Sequence, residues 1–391
     1  MGVRRRAALV GAGHTRFGAL AEGPRVLLRT AIDQAIGSVD KGFDRSTIDE
    51  GFVGSLGFSG WQIGNLSAVL AEEAGIVGAP VSHVENACAS AGFALRAGVR
   101  AIESGAADAV LVAGVEKMTD PTNPRRRYWL GVSGDTEWER LAGLTFAGVY
   151  GLIASRYTDE HPGAREAMAE VAVKAHANGT KNPNAQFRKP VTREQVLAAP
   201  RVADPLGLLD CCPVSDGAAA VLLVPEESAR RYTDTPVMVA GAGAGSDYLA
   251  LQERASLTSF AATRWAASAA FRAAGLERTS MGFLEVHDCF TIAELLALED
   301  LGFAGPGEAG ALTLSGATRL GGALPVNPDG GLKAKGHPIG ATGASQAYEI
   351  FQQLRRAAGD RQVPGAEHAL AHNVGGSGAS ATVTIFTTGS A

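Results

Sequence analysis

The feature that most constrains this chain is that it repeats itself. The stretches Ala7–His14 and Val237–Ala244 each run an apolar strand into a Gly-Ala-Gly triplet, Gly11–Gly13 and Gly241–Gly243. In both halves the pattern predicts a helix (24–37 or 261–275), a strand (Gly51–Leu56 or Gly282–Val286), and a glycine- and alanine-rich loop with its helix (87–104 or 336–356). Two closing strands are expected in each half, Ala107–Gly114 and Ala218–Val224 in the first, Ala369–Val374 and Ala381–Phe386 in the second. Alternating strands and helices imply α/β layers, and a repeat of this length implies two similar halves packed together. Neither triplet is followed by the third glycine of a dinucleotide-binding turn, so both read as plain turns after a strand.

Between about 120 and 210 the first half changes character, with Pro121, Pro124, the run Arg125–Arg127, Trp129, Trp138 and Asn182–Asn184. This divides the chain into a first half over 1–120 and 210–230, an inserted loop subdomain over 121–209, and a second half over 231–391. The inserted arginines, with Arg188 and Lys189, read as a solvated face before they read as a grip on substrate phosphates. A net charge of -5 and an acidic pI near 5.9 give no global pull toward nucleic acid or anionic membrane. The four cysteines, at 88, 211, 212 and 289, lack metal-ligand spacing, and the adjacent pair suits neither a bridge nor a tetrahedral site. Basic residues at the N-terminus precede a strand and not a signal-peptide core, and no apolar run reaches spanning length, so a cytoplasmic location is expected.

Cys88 stands where a small-residue loop meets a predicted helix, and a helix start favours thiolate over thiol. A buried structural cysteine is the competing reading. His337, in the loop Lys335–Gly343, holds the matching place in the second half, so a twofold arrangement would bring an imidazole to the thiol as its base. At Glu285–Phe290 an apolar strand empties into His287, Asp288 and Cys289. Cys289 reads as a second thiol for acid/base work and His287 as a donor to an oxyanion, directly or through a water. Asp288 reads as a cap of the helix over 292–299, and Glu285 equally as a buried hydrogen-bonding group or a catalytic one. The glycine-rich stretch His372–Gly378 reads by itself as a turn between strands, and with the other loops it could offer one backbone N–H to an oxyanion, paired with that of Cys88.

Taken together, the Cys88 loop, Gly114–Met118, Pro213–Ala220, the Gly336–Pro338 loop and the glycine-rich end resemble the thiolase family over nearly the whole chain. The resemblance implies the duplicated αβαβα fold, two mixed five-stranded sheets with helices between and outside them, and a loop subdomain over the site. It implies acyl-CoA as substrate, no metal or redox cofactor, and a homodimer or homotetramer. Two departures matter. Where many thiolases carry Asn-Glu-Ala-Phe this chain has His287–Phe290, and where they carry Cys-x-Gly it has Asn373–Gly375. It is in this respect similar to the sterol-carrier-protein-type and archaeal thiolases, whose His-Asp-Cys-Phe loop supplies the acid/base cysteine, here Cys289. The implied reaction is reversible Claisen condensation or thiolysis through an acyl group on Cys88, with one oxyanion held by His337 and a water near His287 and the other by the N–H groups of Cys88 and Gly375. The rival readings are a thiolase-fold aldol lyase acting on a side-chain CoA ester with a small partner protein, and a non-catalytic acyl-CoA-binding scaffold. A small zinc-ribbon/OB-fold partner is implied by the archaeal resemblance alone.

Overall fold

The structure is a computed structural model that describes residues 5–389. The basic N-terminus as far as Arg4 and the outermost bounds of the expected halves lie outside the described residues.

The strands are β1 (Ala7–His14), β2 (Glu50–Gly54), β3 (Val81–Val84), β4 (Val110–Glu116), β5 (Arg201–Ala203), β6 (Leu206–Gly207), β7 (Gly217–Pro225), β8 (Val237–Ser246), β9 (Phe283–Glu285), β10 (His368–Gly375) and β11 (Ser380–Thr388). Among the described residues, nine of them form one sheet in the order β3-β2-β4-β7-β1-β8-β11-β10-β9, and β5 pairs with β6 alone. The duplication is visible in the pairing. In the first half β2–β4 is parallel while β4–β7 and β7–β1 are antiparallel. In the second half β9–β10 is parallel while β10–β11 and β11–β8 are antiparallel. The fifth strand of the second half is reduced to one parallel bridge, Leu284 with Val326. A two-residue antiparallel contact, Ala8 with Met238 and Leu9 with Val237, joins the two halves edge to edge.

Period-two alternation decides what each strand face covers. Ala8, Val10, Leu222 and Val224 pack outward under the helices Pro24–Gly37 and Leu66–Ala74. Ala7, Leu9, Val221 and Leu223 face inward, with Ala369 and Ala371 of the other half, onto the helices Ser90–Ser104 and Thr342–Leu354. On the far side Leu370, Val383 and Ile385 lie under the helix Ala261–Ala274. These are the five layers, helix, sheet, helices, sheet, helix.

The Gly-Ala-Gly triplets are not turns. They lie within β1 and β8, where Gly13 and Gly243 bare the strand so that an outer helix can rest on its backbone. A Cβ on Gly13 would stand 2.0 Å from the carbonyl oxygen of Ala31, and one on Gly243 2.0 Å from that of Ala266. The strand continues through the glycines because ladder bonds and helix packing outweigh their weak strand preference.

Between β4 and β7 the chain leaves the main sheet for the helices Asn123–Gly131, Phe146–Glu160, Ala164–Gly179 and Arg193–Leu197 and the β5–β6 pair. Although this segment departs from the first half, Tyr150, Ile153, Tyr157 and Met168 share one apolar core with Phe290, Leu295 and Val383 of the second. Among the described residues no helix is long and apolar enough to cross a membrane.

Gly243→Ala and Gly13→Ala should each lower the unfolding free energy by about 1–3 kcal/mol through overpacking. Gly37→Ala, with nothing within 4 Å of the added Cβ, should change it by less than about 0.5 kcal/mol. Denaturant midpoints compare the three, and a Gly243→Ala midpoint equal to that of Gly37→Ala would contradict the packing role.

Candidate active site

Cys88 lies in a tight connection between β3 and the helix Ser90–Ser104, which starts two residues beyond it with Ala89 as its cap residue. The connection is held by short bonds: the Ala87 N–H donates to the Glu85 carboxylate (2.6 Å), and the Ser90 hydroxyl donates to the Ala87 carbonyl (2.6 Å). Ala87 is thereby kept at φ +49°, a left-handed conformation uncommon for a residue with a Cβ. The thiol is buried at 2 % exposure. Burial pushes its pKa well up and the neighbouring Cys212 pushes the same way, against the N–H groups of Gly376 and of Cys88 itself. Burial thus works against the thiolate that a helix start favours. A helix end contributes about 0.3–1 kcal/mol, whereas desolvation of a buried group shifts a pKa by up to several units.

His337 reaches the same place from the second half. Its helix starts at Thr342, so it stands four residues before the cap residue Ala341 whereas Cys88 stands one before Ala89, and the two side chains are not strict equivalents. The loop is fixed through its backbone. Ser215 Oγ accepts the His337 N–H (3.0 Å), and the Glu116 carboxylate accepts N–H bonds from Gly340 (3.0 Å), Leu56 (2.9 Å) and Phe58 (2.8 Å). His337 Nδ1 lies 2.7 Å from Thr342 Oγ1. Burial first, then the Lys335 charge, lowers its pKa to about 3, so the ring is neutral at rest.

His287 follows β9, with its ring centroid 5.0 Å from that of His337 and nearly perpendicular to it. Its Nδ1 is 3.1 Å from Asn373 Nδ2, and burial followed by the two neighbouring histidines lowers its pKa well below the usual range. Among the described residues, Nε2 of each ring has no hydrogen-bond partner. The Cys88 sulfur and one nitrogen from each ring lie within 4.8 Å of one another. A thiol with two imidazoles at this spacing could ligate a soft divalent cation, and it equally forms a nucleophile with a base and a hydrogen-bond donor.

Cys289 is buried beside them. Its pKa is pushed well up, by burial first and next by Cys88, so the two thiols are close enough for charge on one to oppose charge on the other. Tyr150 of the inserted segment, which sequence reading missed, is the other neighbour. Its hydroxyl donates to the Gly376 carbonyl (3.1 Å) and bonds Cys289, and its ring stacks on Phe290 with centroids 4.4 Å apart. An aromatic on a helix face carries no signal of this kind in one sequence.

Two further expectations, for Asp288 and Glu285, are corrected. Asp288 does not cap the helix Thr291–Asp300, whose cap residue is Phe290; its carboxylate accepts the N–H of Leu332 (2.7 Å) and so anchors the chain leading to His337. Gly375 pairs with Ser380 in the ladder, and the N–H groups of the next residue, Gly376, and of Cys88 itself favour charge on the Cys88 sulfur. Glu285 is buried with neither carboxylate oxygen partnered among the described residues, and burial, then Asp329, pushes its pKa well up.

A cavity of ≈ 180 Å³ opens onto Cys88 and His337, walled mainly by apolar groups including Leu130, Phe146, Val202, Phe290 and Ile339. Cys211 and Cys212 also line it, and all four cysteines are free thiols. Arg188 and Lys189 instead border a separate surface depression with His176 and Phe187. Arg125 and Arg127 are exposed, while Arg126 donates to the carbonyls of Thr119 (3.0 Å) and Pro121 (3.1 Å).

Comparison with known proteins accords with this arrangement. Residues 7–227 match the thiolase N-terminal domain and residues 243–388 the thiolase C-terminal domain-like family. An acetyl-CoA acetyltransferase of Methanothermobacter thermautotrophicus is 46% identical over 386 residues, 98% of this chain and 99% of that one. Sterol carrier protein 2 of Gallus gallus is 33% identical over 404 residues, 99% of this chain and 72% of that one. Among solved structures, the Ltp2-ChsH2(DUF35) aldolase superposes with a TM-score of 0.82 at 25% identity, covering 97% of both chains. With both of its halves matched and its fold shared, the chain belongs to the thiolase family.

Proposed function

We propose that this protein is an acetyl-CoA acetyltransferase, joining two acetyl-CoA molecules or cleaving the 3-ketoacyl-CoA in reverse. The observation that carries the reading is the convergence of Cys88, His337 and His287, with Cys88 and His337 lining an apolar cavity and the Cys289 thiol alongside. The archaeal relative supports the acetyl group.

All partners start neutral. As the Cys88 sulfur attacks the thioester carbonyl its proton passes to His337, and the CoA sulfur leaves with a proton from Cys289. The enzyme then holds an acyl group on Cys88, an imidazolium at His337 and a thiolate at Cys289, an ion pair that offsets the burial of each charge. Cys289 takes an α-proton from the second acyl-CoA and the enolate carbon attacks the acyl group. Cys88 leaves as thiolate and recovers its proton from His337, which closes the cycle. The N–H groups of Cys88 and Gly376 serve one oxyanion, His287 and protonated His337 the other, each donor contributing about 3–4 kcal/mol to the barrier. The chemistry needs only CoA thioesters, with no metal or redox group. Reduced thiols suit the cytosol, and the half-exposed β3 at the sheet edge suits a homo-oligomer.

The aldolase neighbour supports a second reading, retro-aldol cleavage of a CoA ester together with a small DUF35-type partner protein. That reaction requires no acyl-cysteine, so the two are separated chemically.

Incubation with acetyl-CoA should add one acetyl mass to the wild type and none to Cys88→Ala; an adduct that persists on the variant removes Cys88 as nucleophile. Cys289→Ala should still acetylate but lose condensation by at least about 100-fold, and full turnover would assign the acid/base role elsewhere. Because His337 stays neutral down to about pH 3, its acylation rate should be level from about pH 7 to 5. A base of ordinary pKa near 6.5 would lose about 25-fold over that range, and stopped-flow acylation distinguishes the two.

A further inference from the structure

We propose that Asn373 and Thr342 hold the two site histidines in opposite tautomers, leaving His337 with a bare Nε2 that accepts the Cys88 proton and His287 with an Nε2–H that donates to a developing oxyanion. The two roles rest on the thiolase reading; the tautomers follow from hydrogen-bond partners alone.

A neutral imidazole carries one proton, and the partner of one nitrogen decides which nitrogen has it. Asn373 Nδ2 lies 2.9 Å from the Cys88 carbonyl oxygen and 3.1 Å from His287 Nδ1. The carbonyl settles how the amide is turned, because the opposite orientation would set two oxygens against each other with no hydrogen between them. The NH2 group therefore faces both partners. Since it can only donate, His287 Nδ1 accepts and the ring proton sits on Nε2.

Thr342 works in the other sense. Its hydroxyl has one hydrogen, which we assign to the Pro338 carbonyl oxygen at 3.1 Å, a group that can only accept. A lone pair is left toward His337 Nδ1 at 2.7 Å, so that nitrogen carries the proton and Nε2 is bare. In both rings Nε2 is the nitrogen with no partner among the described residues, and each ring has a nitrogen within 4.8 Å of the Cys88 sulfur, which borders the cavity. The low pKa values of both rings agree with their being neutral, the only state in which a tautomer has meaning.

Asn373 is held in turn by the fold. Its Oδ1 points at the starts of the two middle helices, where a Cβ on Gly92 would lie 2.8 Å from it and one on Gly343 2.6 Å. Asn373 and Thr342 are thus positioning residues. The single amide of Asn373 also ties the nucleophile's carbonyl to the oxyanion donor, so the two move together.

The test is long-range 1H–15N NMR of imidazole-labelled protein without substrate, assigned with His287→Gln and His337→Gln. The wild type should give the Nδ1–H tautomer for His337 and Nε2–H for His287; the reverse in either ring overturns the proposal. Thr342→Val should shift His337 toward Nε2–H and slow acylation about 10–100-fold, while Thr342→Ser restores both. An unchanged tautomer in folded Thr342→Val also overturns it. Asn373→Asp should turn His287 to Nδ1–H and lower condensation by about 100-fold or more while the acetyl adduct still forms. If no variant and no wild type forms an adduct, the thiolase reading fails while the tautomers stand or fall on the spectra. Should a variant not fold, the wild-type spectrum still decides.

Discussion

The contact on which the site depends is backbone against backbone, where the two middle helices begin. A Cβ on Gly343 would stand 2.3 Å from the Gly92 nitrogen, and one on Gly114 2.3 Å from the Gly340 carbonyl oxygen. Nothing larger than hydrogen fits at these points, and a close-packed interior has no slack to admit it. The consequence is geometric. One helix start brings the Cys88 turn, the other brings the His337 loop, and their approach sets thiol and imidazole within a few ångströms. Glu116 strengthens the junction by taking N–H bonds from both the Leu56–Phe58 turn and Gly340.

That close packing also determines the electrostatics. Burial disfavours charge on both thiols and on both imidazoles, so charge is favoured only where a proton moves between them. Separating charge in such a place is costly unless opposite charges form together and preorganised donors meet them. The arrangement supplies both, a thiolate opposite an imidazolium, and N–H groups fixed by the Cys88 turn and the Gly376 turn. Charged pairs elsewhere in the middle layer are already neutralised. Lys335 is bonded to Asp329, and Arg361 meets Glu349 at 2.9 Å.

The inserted segment has a part in the site that its sequence did not announce. Tyr150 touches Cys289, Val202 and Phe146 wall the cavity, and the segment's helices bury themselves against the second half although they depart from the first. Asp216 fastens the root of the segment, accepting N–H bonds from Met118 (2.6 Å) and Thr119 (2.9 Å) and an ion pair from Lys117 (2.8 Å). The motif around Asp216 was legible only as a family pattern. Its purpose as a clasp between the strand β4 and the strand β7 is a matter of contacts 98 residues apart.

Local patterning determined a good deal. Apolar periodicity marked the helices Pro24–Gly37 and Ala261–Ala274 nearly to the residue and most strands to within a few, and the repeat exposed the two halves before any fold was in view. The short strand Val81–Val84 was missed because four residues at a sheet edge carry too little alternation. Motif spacing singled out Cys88, His287, Cys289 and His337, since reactive side chains among glycines are rare within a regular element. Which nitrogen of each histidine is bare, how burial opposes charge on the thiols, and that Asp288 anchors the His337 loop were decided only by tertiary structure. Each depends on which groups from distant segments meet once water is gone. Sequence separation carries no information about that, because desolvation and hydrogen-bond partners are properties of the packed interior and not of the chain.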